Sequence, residues 1–249
     1  MNNNVLEINH ISKNYHTPNG EIEAIKDVSF NCHKGEIIGI VGSSGCGKST
    51  LLNILDGLDK ETSGSINTHD LKTAYMLQND ALLPWLTVLD NACIGLKLSH
   101  QKTEETVEYV KSLLSSFGLE KFMNVYPSNL SGGMKQRVAL IRTLAIKPDI
   151  IFLDEPLSAL DYVTRLMITD EIYNILREKN ITTILISHDI AECVSFCDRI
   201  IVLSKRPAVI KNIYNIDLEQ KSIPSKNRRD KLFNYYYDLI WSDLDKNVT

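Results

Sequence analysis

Three glycines, a lysine and a serine stand at a spacing that serves phosphate chemistry: Gly42, Ser43, Ser44, Gly45, Cys46, Gly47, Lys48, Ser49 and Thr50 fit G-x-x-x-x-G-K-S/T. An apolar run over residues 36–41 precedes the loop and a helical pattern follows it, the context this motif requires. Backbone N–H groups freed of side-chain obstruction can turn inward on phosphate oxygens, and the helix N-terminus adds donors and partial positive charge. Lys48 is placed to reach the terminal phosphates, and the Ser49 hydroxyl to ligate the magnesium ion of a nucleoside triphosphate. A second chemical pair, Asp154 and Glu155, ends the apolar run Ile150, Ile151, Phe152, Leu153. One carboxylate there can hold magnesium through water while the other polarises an attacking water. The plainer readings, a glycine-rich turn and a helix cap, need every flanking pattern to be a coincidence.

Small residues open a helix once more at Ser131, Gly132 and Gly133, giving a second potential anion site. Cys46 lies inside the first loop, where a helix N-terminus favours a thiolate, so labelling that MgATP slows is expected.

The elements that must position these groups follow from periodicity. Residues 5–11 and 22–30 alternate apolar and polar about a turn at 17–20, an expected antiparallel hairpin with Tyr15 near the end of its first strand. Strand 36–41 and helix 49–58 flank the phosphate loop, and short strands at 65–67 and 73–77 follow, the latter ending at Gln78. Residues 88–146 change to helices: Thr103 is an N-cap, Val107, Val110, Leu114 and Phe117 share a face, and Gly118 is a stop. The sheet resumes at 149–156, with helix 164–177, strand 181–187 ending at His188, helix 189–196 and strand 199–203. Leu232, Phe233, Tyr236, Tyr237, Ile240, Trp241 and Leu244 form a stripe expected to dock a C-terminal helix.

With 249 residues, 43% of them hydrophobic, the chain can bury one sizeable α/β core. A net charge of −4 argues against a nucleic-acid partner. No apolar run reaches the ~18 residues of a membrane span, and the Asn-rich start lacks a basic n-region and apolar h-region, so a cytoplasmic protein is expected. Five scattered cysteines suit reduced thiols; Cys193 and Cys197 share a helix face, where packing is favoured over a metal site.

Together these motifs resemble, over residues 5–205 and in order, the ATP-binding cassette ATPases of ABC transporters. The resemblance implies an α/β P-loop NTPase core, a mixed sheet with an N-terminal antiparallel β portion, and an inserted α-helical subdomain. It divides residues 1–249 into a nucleotide-binding core at 1–87 and 147–204, a helical signature subdomain at 88–146, and a tail at 205–249. Tyr15 looks like the adenine-stacking aromatic, residues 42–50 like Walker A, and Gln78 like the Q-loop glutamine, a magnesium ligand with Ser49 and Asp154. Residues 130–136 resemble the signature, so Ser131, Gly132, Gly133 and Gln136 are expected to face nucleotide. Residues 150–154 resemble Walker B, with Glu155 catalytic; 158–161 resemble the D-loop, with Asp161 near nucleotide; His188 resembles the switch histidine.

The resemblance further implies a head-to-tail homodimer with two ATPs and magnesium at its interface, an integral membrane permease partner, and a place on the cytoplasmic face of the membrane. The segment 78–91, with Pro84-Trp85-Leu86, is similar to importers for nitrate, sulfonates and taurine, a group that includes thiamine-precursor importers and implies an indirect solute-binding protein partner. Residues 64–78 are short for that group, and Leu157-Ser158 replaces its Phe-Gly. A guanine-reading Asn-Lys-x-Asp is absent, residues 51–129 carry no sustained heptads, and only one phosphate loop occurs, which sets aside GTPases, DNA-repair cassettes and translation cassettes. A cassette of an exporter or of a non-transport complex is the remaining alternative.

Overall fold

The computed structural model describes residues 4–18 and 20–245. Asn19 of the expected turn and the outermost residues of the 1–249 domain bounds lie outside these. The chain opens with β1 (Asn4–Thr17) and β2 (Gly20–His33), paired antiparallel, with Ile8 opposite Phe30 and Thr17 opposite Gly20. Next come β3 (Ile37–Val41), α1 (Lys48–Leu55), β4 (Ser63–Asn67) and β5 (Thr73–Met76). Helix α1 stops three residues before the expected Leu58, because Asp56 caps it and Gly57 takes a left-handed φ of 79°.

A helical block follows: α2 (Val88–Ala92), α3 (Ile94–Leu98), α4 (Glu104–Ser116) and α5 (Gly132–Ala145). Helix α4 begins on a reciprocal cap, with Thr103 and Thr106 each accepting from the other's amide. The chain then alternates through β6 (Ile150–Asp154), α6 (Tyr162–Glu178), β7 (Thr182–Ile186), α7 (Ile190–Phe196) and β8 (Arg199–Leu203). It ends with β9 (Ile210–Asn215), α8 (Pro224–Asn227) and α9 (Phe233–Asp245).

Two sheets result. β2-β1-β4 is antiparallel, and the six-stranded sheet runs β5-β6-β7-β3-β8-β9, parallel except for β9 against β8. Every residue of β3, β6 and β7 is buried, as continuous apolar strands between two covered faces should be. Period two divides them. Ile37, Val41, Ile151, Leu153 and Leu185 pack toward the helical block, α6, α7 and α9. Ile38, Ile40, Phe152, Ile184 and Ile186 pack toward α1 and the small sheet, against Leu51, Leu52, Leu6 and Ile11. β9 extends the large sheet into the stretch expected to be tail. Its sequence, Ile-Lys-Asn-Ile-Tyr-Asn, has no strict alternation, since an edge strand with both faces half-exposed imposes none.

Candidate functional site

Because β5, β6, β7 and β3 are parallel neighbours in that order, their carboxyl ends share one edge, where open α/β sheets bind ligands. β3 delivers the phosphate loop, β7 His188, β6 Asp154 and Glu155, and β5 Gln78. A cleft of about 440 Å³ lies among them, lined by Gly42, Ser44, Gly45, Gly47, Lys48, Ser49 and Thr50 on one side and Gln78, Glu155, Ile186 and His188 on the other.

Gly47 caps α1 at φ 122°, a conformation L side chains rarely adopt, and a Cβ there would stand 3.0 Å from the Ala24 carbonyl. No side chain caps this helix end and its first turn holds no acid, so its charge preference for an anion is uncompensated. Lys48 Nζ donates to the carbonyls of Gly42 at 2.9 Å and Ser43 at 3.0 Å. Cys46 is buried within the loop, its sulfur 4.0 Å from that ammonium, so the expected reactive thiol is shielded by packing.

Across the cleft, burial pushes the Asp154 carboxyl up; the Ser49 hydroxyl bonded to it pulls the other way, and Glu155 raises it further. Tyr75 reaches the same carboxylate at 3.5 Å. Glu155 adopts a left-handed backbone, φ 49°. Its carboxylate meets His188 Nδ1 at 3.4 Å and accepts from Gln78 Nε2 at 3.2 Å. Ser49, Asp154 and Gln78 offer oxygen donors alone. Among the described residues no group of three or more His, Cys, Asp or Glu is placed to hold a metal ion by itself. That donor set, one carboxylate with a hydroxyl and an amide oxygen, fits magnesium, which is held through one or two carboxylates and completes its shell with phosphate oxygens and water.

The remaining expected residues lie apart from this cleft. Ser131 caps α5, accepting from Met134 N at 3.3 Å, and stays exposed. A Cβ on Gly133 would stand 2.5 Å from Leu160 Cδ2, so glycine there permits close packing of α5 on residues 159–160. Asp161 caps α6 through Thr164 N at 3.1 Å; the side chain and backbone of Thr164 hold its carboxyl below the usual range. Gln136, expected to face nucleotide, is buried instead, its amide engaged by Glu155, Ser158 and Ala159. Tyr15 does not line the cleft; its hydroxyl bonds Asp59 at 2.7 Å and also meets the cleft residue Thr50, while Lys13 Nζ stands 4.8 Å from its ring.

Sequence reasoning missed the supports. Lys13 and Asp59 hold Tyr15, and Arg142 of α5 donates to the carbonyls of Asp80 and Ala81, at 2.8 Å each, just beyond Gln78. Such pairs join residues 46 and 61–62 positions apart, and no local pattern marks them.

A glycine loop opening a helix opposite an acidic strand end defines a P-loop nucleoside triphosphatase. Residues 25–158 match the family model described as ABC transporter. The taurine import ATP-binding protein TauB of Pelagibacter ubique is 39% identical, with 87% of this chain and 85% of that protein covered. The nitrate import ATP-binding protein NrtD of Synechococcus elongatus is 38% identical, covering 84% and 79%. The ATP-binding cassette MJ0796, solved as a post-hydrolysis dimer with ADP and Pi, superposes with a TM-score of 0.77 at 33% identity, covering 85% of this chain and 99% of that one. The chain belongs to the ATP-binding cassettes of the ABC transporter family and is an ATPase. No helix among the described residues is long and apolar enough to cross a membrane.

Proposed function

We propose that the chain powers uptake of a small solute through a separate membrane permease, hydrolysing magnesium-bound ATP as a homodimer on the cytoplasmic face of the membrane. The observation that carries the chemistry is the convergence of Gln78 and His188 on the Glu155 carboxylate, across the cleft from Lys48 and Ser49. In this reading Lys48 and the loop amides hold the terminal phosphates, Ser49, Asp154 and Gln78 hold magnesium, and Glu155 draws the proton from the attacking water. Tyr15 stacks on the base from the loop's flank.

Ser131, Gly132, Gly133 and Asp161, outside the cleft but exposed or part-exposed, face the nucleotide of a second copy. The subdomain at 88–146 carries the first three, and Asp161 comes from the nucleotide-binding core at 147–204. The import direction and a nitrate-, sulfonate- or taurine-like solute rest on the named importers among the relatives and on the segment 78–91. A thiamine precursor is the other solute class the resemblance allows. Purification of the native membrane complex, followed by solute competition for uptake, tests this. A copurifying permease and solute-binding protein are expected; an exporter subunit or a partner without membrane spans overturns the import reading and leaves the ATPase intact.

A further inference from the structure

Glu155 must hold its carboxylate within reach of His188 and Gln78, yet its own backbone is left-handed, a conformation that is costly for a non-glycine residue and persists only where surroundings impose it. On the amide side the Glu155 N–H donates to the Ile186 carbonyl at 3.0 Å, two residues before His188. On the carbonyl side the partner is a side chain from another element. Gln136 of α5 donates through Nε2 to the Glu155 carbonyl at 3.0 Å and to Ser158 Oγ at 3.3 Å, while its Oε1 accepts from Ala159 N at 3.0 Å. One amide thus clasps both ends of the turn 155–159.

We propose that Gln136 is a positioning residue for hydrolysis: it locks the left-handed Glu155 backbone, and so the aim of its carboxylate, to the helix that opens at Ser131. The inference rests on the reading of Glu155 as the residue that activates water. Gln136 is 4% exposed and its amide nitrogen and oxygen are both engaged by the turn, so its side chain is turned inward to Glu155 rather than outward to a ligand. Gly133, one turn earlier on the same helix, lies against Ala159 and Leu160, so α5 meets the end of the turn there as well.

The test compares kcat, KM for ATP and nucleotide affinity in the full chain carrying Gln136→Met, which keeps length and loses every hydrogen bond, Glu155→Gln, and both together. Gln136→Met is expected to lower kcat on the order of tenfold to a hundredfold, the cost of misplacing a reacting group by up to about 1 Å, with ATP affinity unchanged. In the Glu155→Gln background the same substitution is expected to remove nothing further, since Gln136 acts through the carboxylate already lost. Should Gln136→Met not fold, Gln136→Glu, which retains an acceptor for the Ala159 amide, carries the same expectations. Wild-type kcat, a fall in ATP affinity, or an equal further loss in the double variant overturns the proposal. Normal hydrolysis by Glu155→Gln alone would instead refute the reading of Glu155, and the single variant shows which has failed.

Discussion

Lys48 Nζ donates to the Gly42 carbonyl at 2.9 Å, so the loop's own backbone bends the lysine over the curve that the glycines make. The ammonium stands where a terminal phosphate would meet it, and phosphate oxygens compete with two neutral carbonyls for a compact charge, a contest that charge favours. Lys48→Ala is expected to lose ATP binding or hydrolysis while the fold survives, because the residue is part-exposed and its contacts are local. Nucleotide titration and an ATPase assay check this; near-wild-type turnover would remove the phosphate site.

How far the sequence carried this site depended on how local each signal was. The loop, the acidic strand end and His188 each lie at the end of a buried strand, where an apolar run and its terminus are legible without knowing the partner strands. The helix starts at Thr103 and Ser131 are equally local, whereas α6 begins two residues before the expected 164, on an Asp161 cap. Gln136 was misplaced because its role depends on Glu155 and Ala159, about twenty positions away, and helix position alone does not tell an inward amide from an outward one. β9 escaped because it borrows its order from β8.

Trp85 is 69% exposed, a large apolar surface with no packing to explain it. Seven residues beyond Gln78 and so exposed, it is proposed as an anchor for the permease, and its truncation should weaken complex assembly by about 2 kcal/mol, the scale of an interface hot spot. Trp85→Ala should leave the melting temperature and the ATPase of the isolated subunit unchanged, while permease copurification and transport fall. Intact assembly would end this assignment.

Asp198 ties β3 to two cations: its carboxylate accepts from Ile37 N at 2.8 Å, Arg177 at 2.6 Å and Lys221 at 2.5 Å. Burial raises its pKa, but the Arg177 and Lys221 contacts and the Ile37 amide outweigh that and leave it lowered. A depressed acid favours the fold at pH above its unfolded value, and this contribution is lost as pH falls through the folded value. Asp198→Asn should cost about 1.5–3 kcal/mol at neutral pH, as for hydrogen bonds to a charged group. The gap in urea midpoint between wild type and variant should close as pH falls below the ordinary Asp value and through the lowered folded one. A gap independent of pH would mean that the charge contributes nothing.

All five cysteines are free and buried, Cys46 included. Native protein is therefore expected to react slowly with a maleimide at every position, with or without MgATP, and fully only after denaturation. Mass spectrometry of the labelled peptides decides it. Rapid labelling of Cys46 in the native state, blocked by nucleotide, would restore the thiolate expectation and show that the loop opens in solution.

Glu155 separates binding from chemistry. The groups expected to hold MgATP, Lys48, Ser49 and Asp154, come from the loop, the start of α1 and the end of β6, and none depends on the Glu155 carboxylate for its position. Glu155→Gln keeps the hydrogen bond from Gln78 through its amide oxygen and loses only the charge that polarises water. Turnover should fall by ~10²–10⁴, the usual cost of removing a general base, with ATP affinity retained. If Ser131 at the exposed start of α5 closes over a second copy's ATP, unconsumed nucleotide should also hold the two copies together, since a ligand that bridges the dimer stabilises it for as long as it stays bound. Size exclusion with light scattering should then show a dimer for Glu155→Gln with ATP, and a monomer once Ser131→Arg blocks the helix end. A variant that hydrolyses normally refutes the catalytic assignment. One that is inactive and remains monomeric leaves the chemistry standing and assigns the pairing of cassettes to the permease.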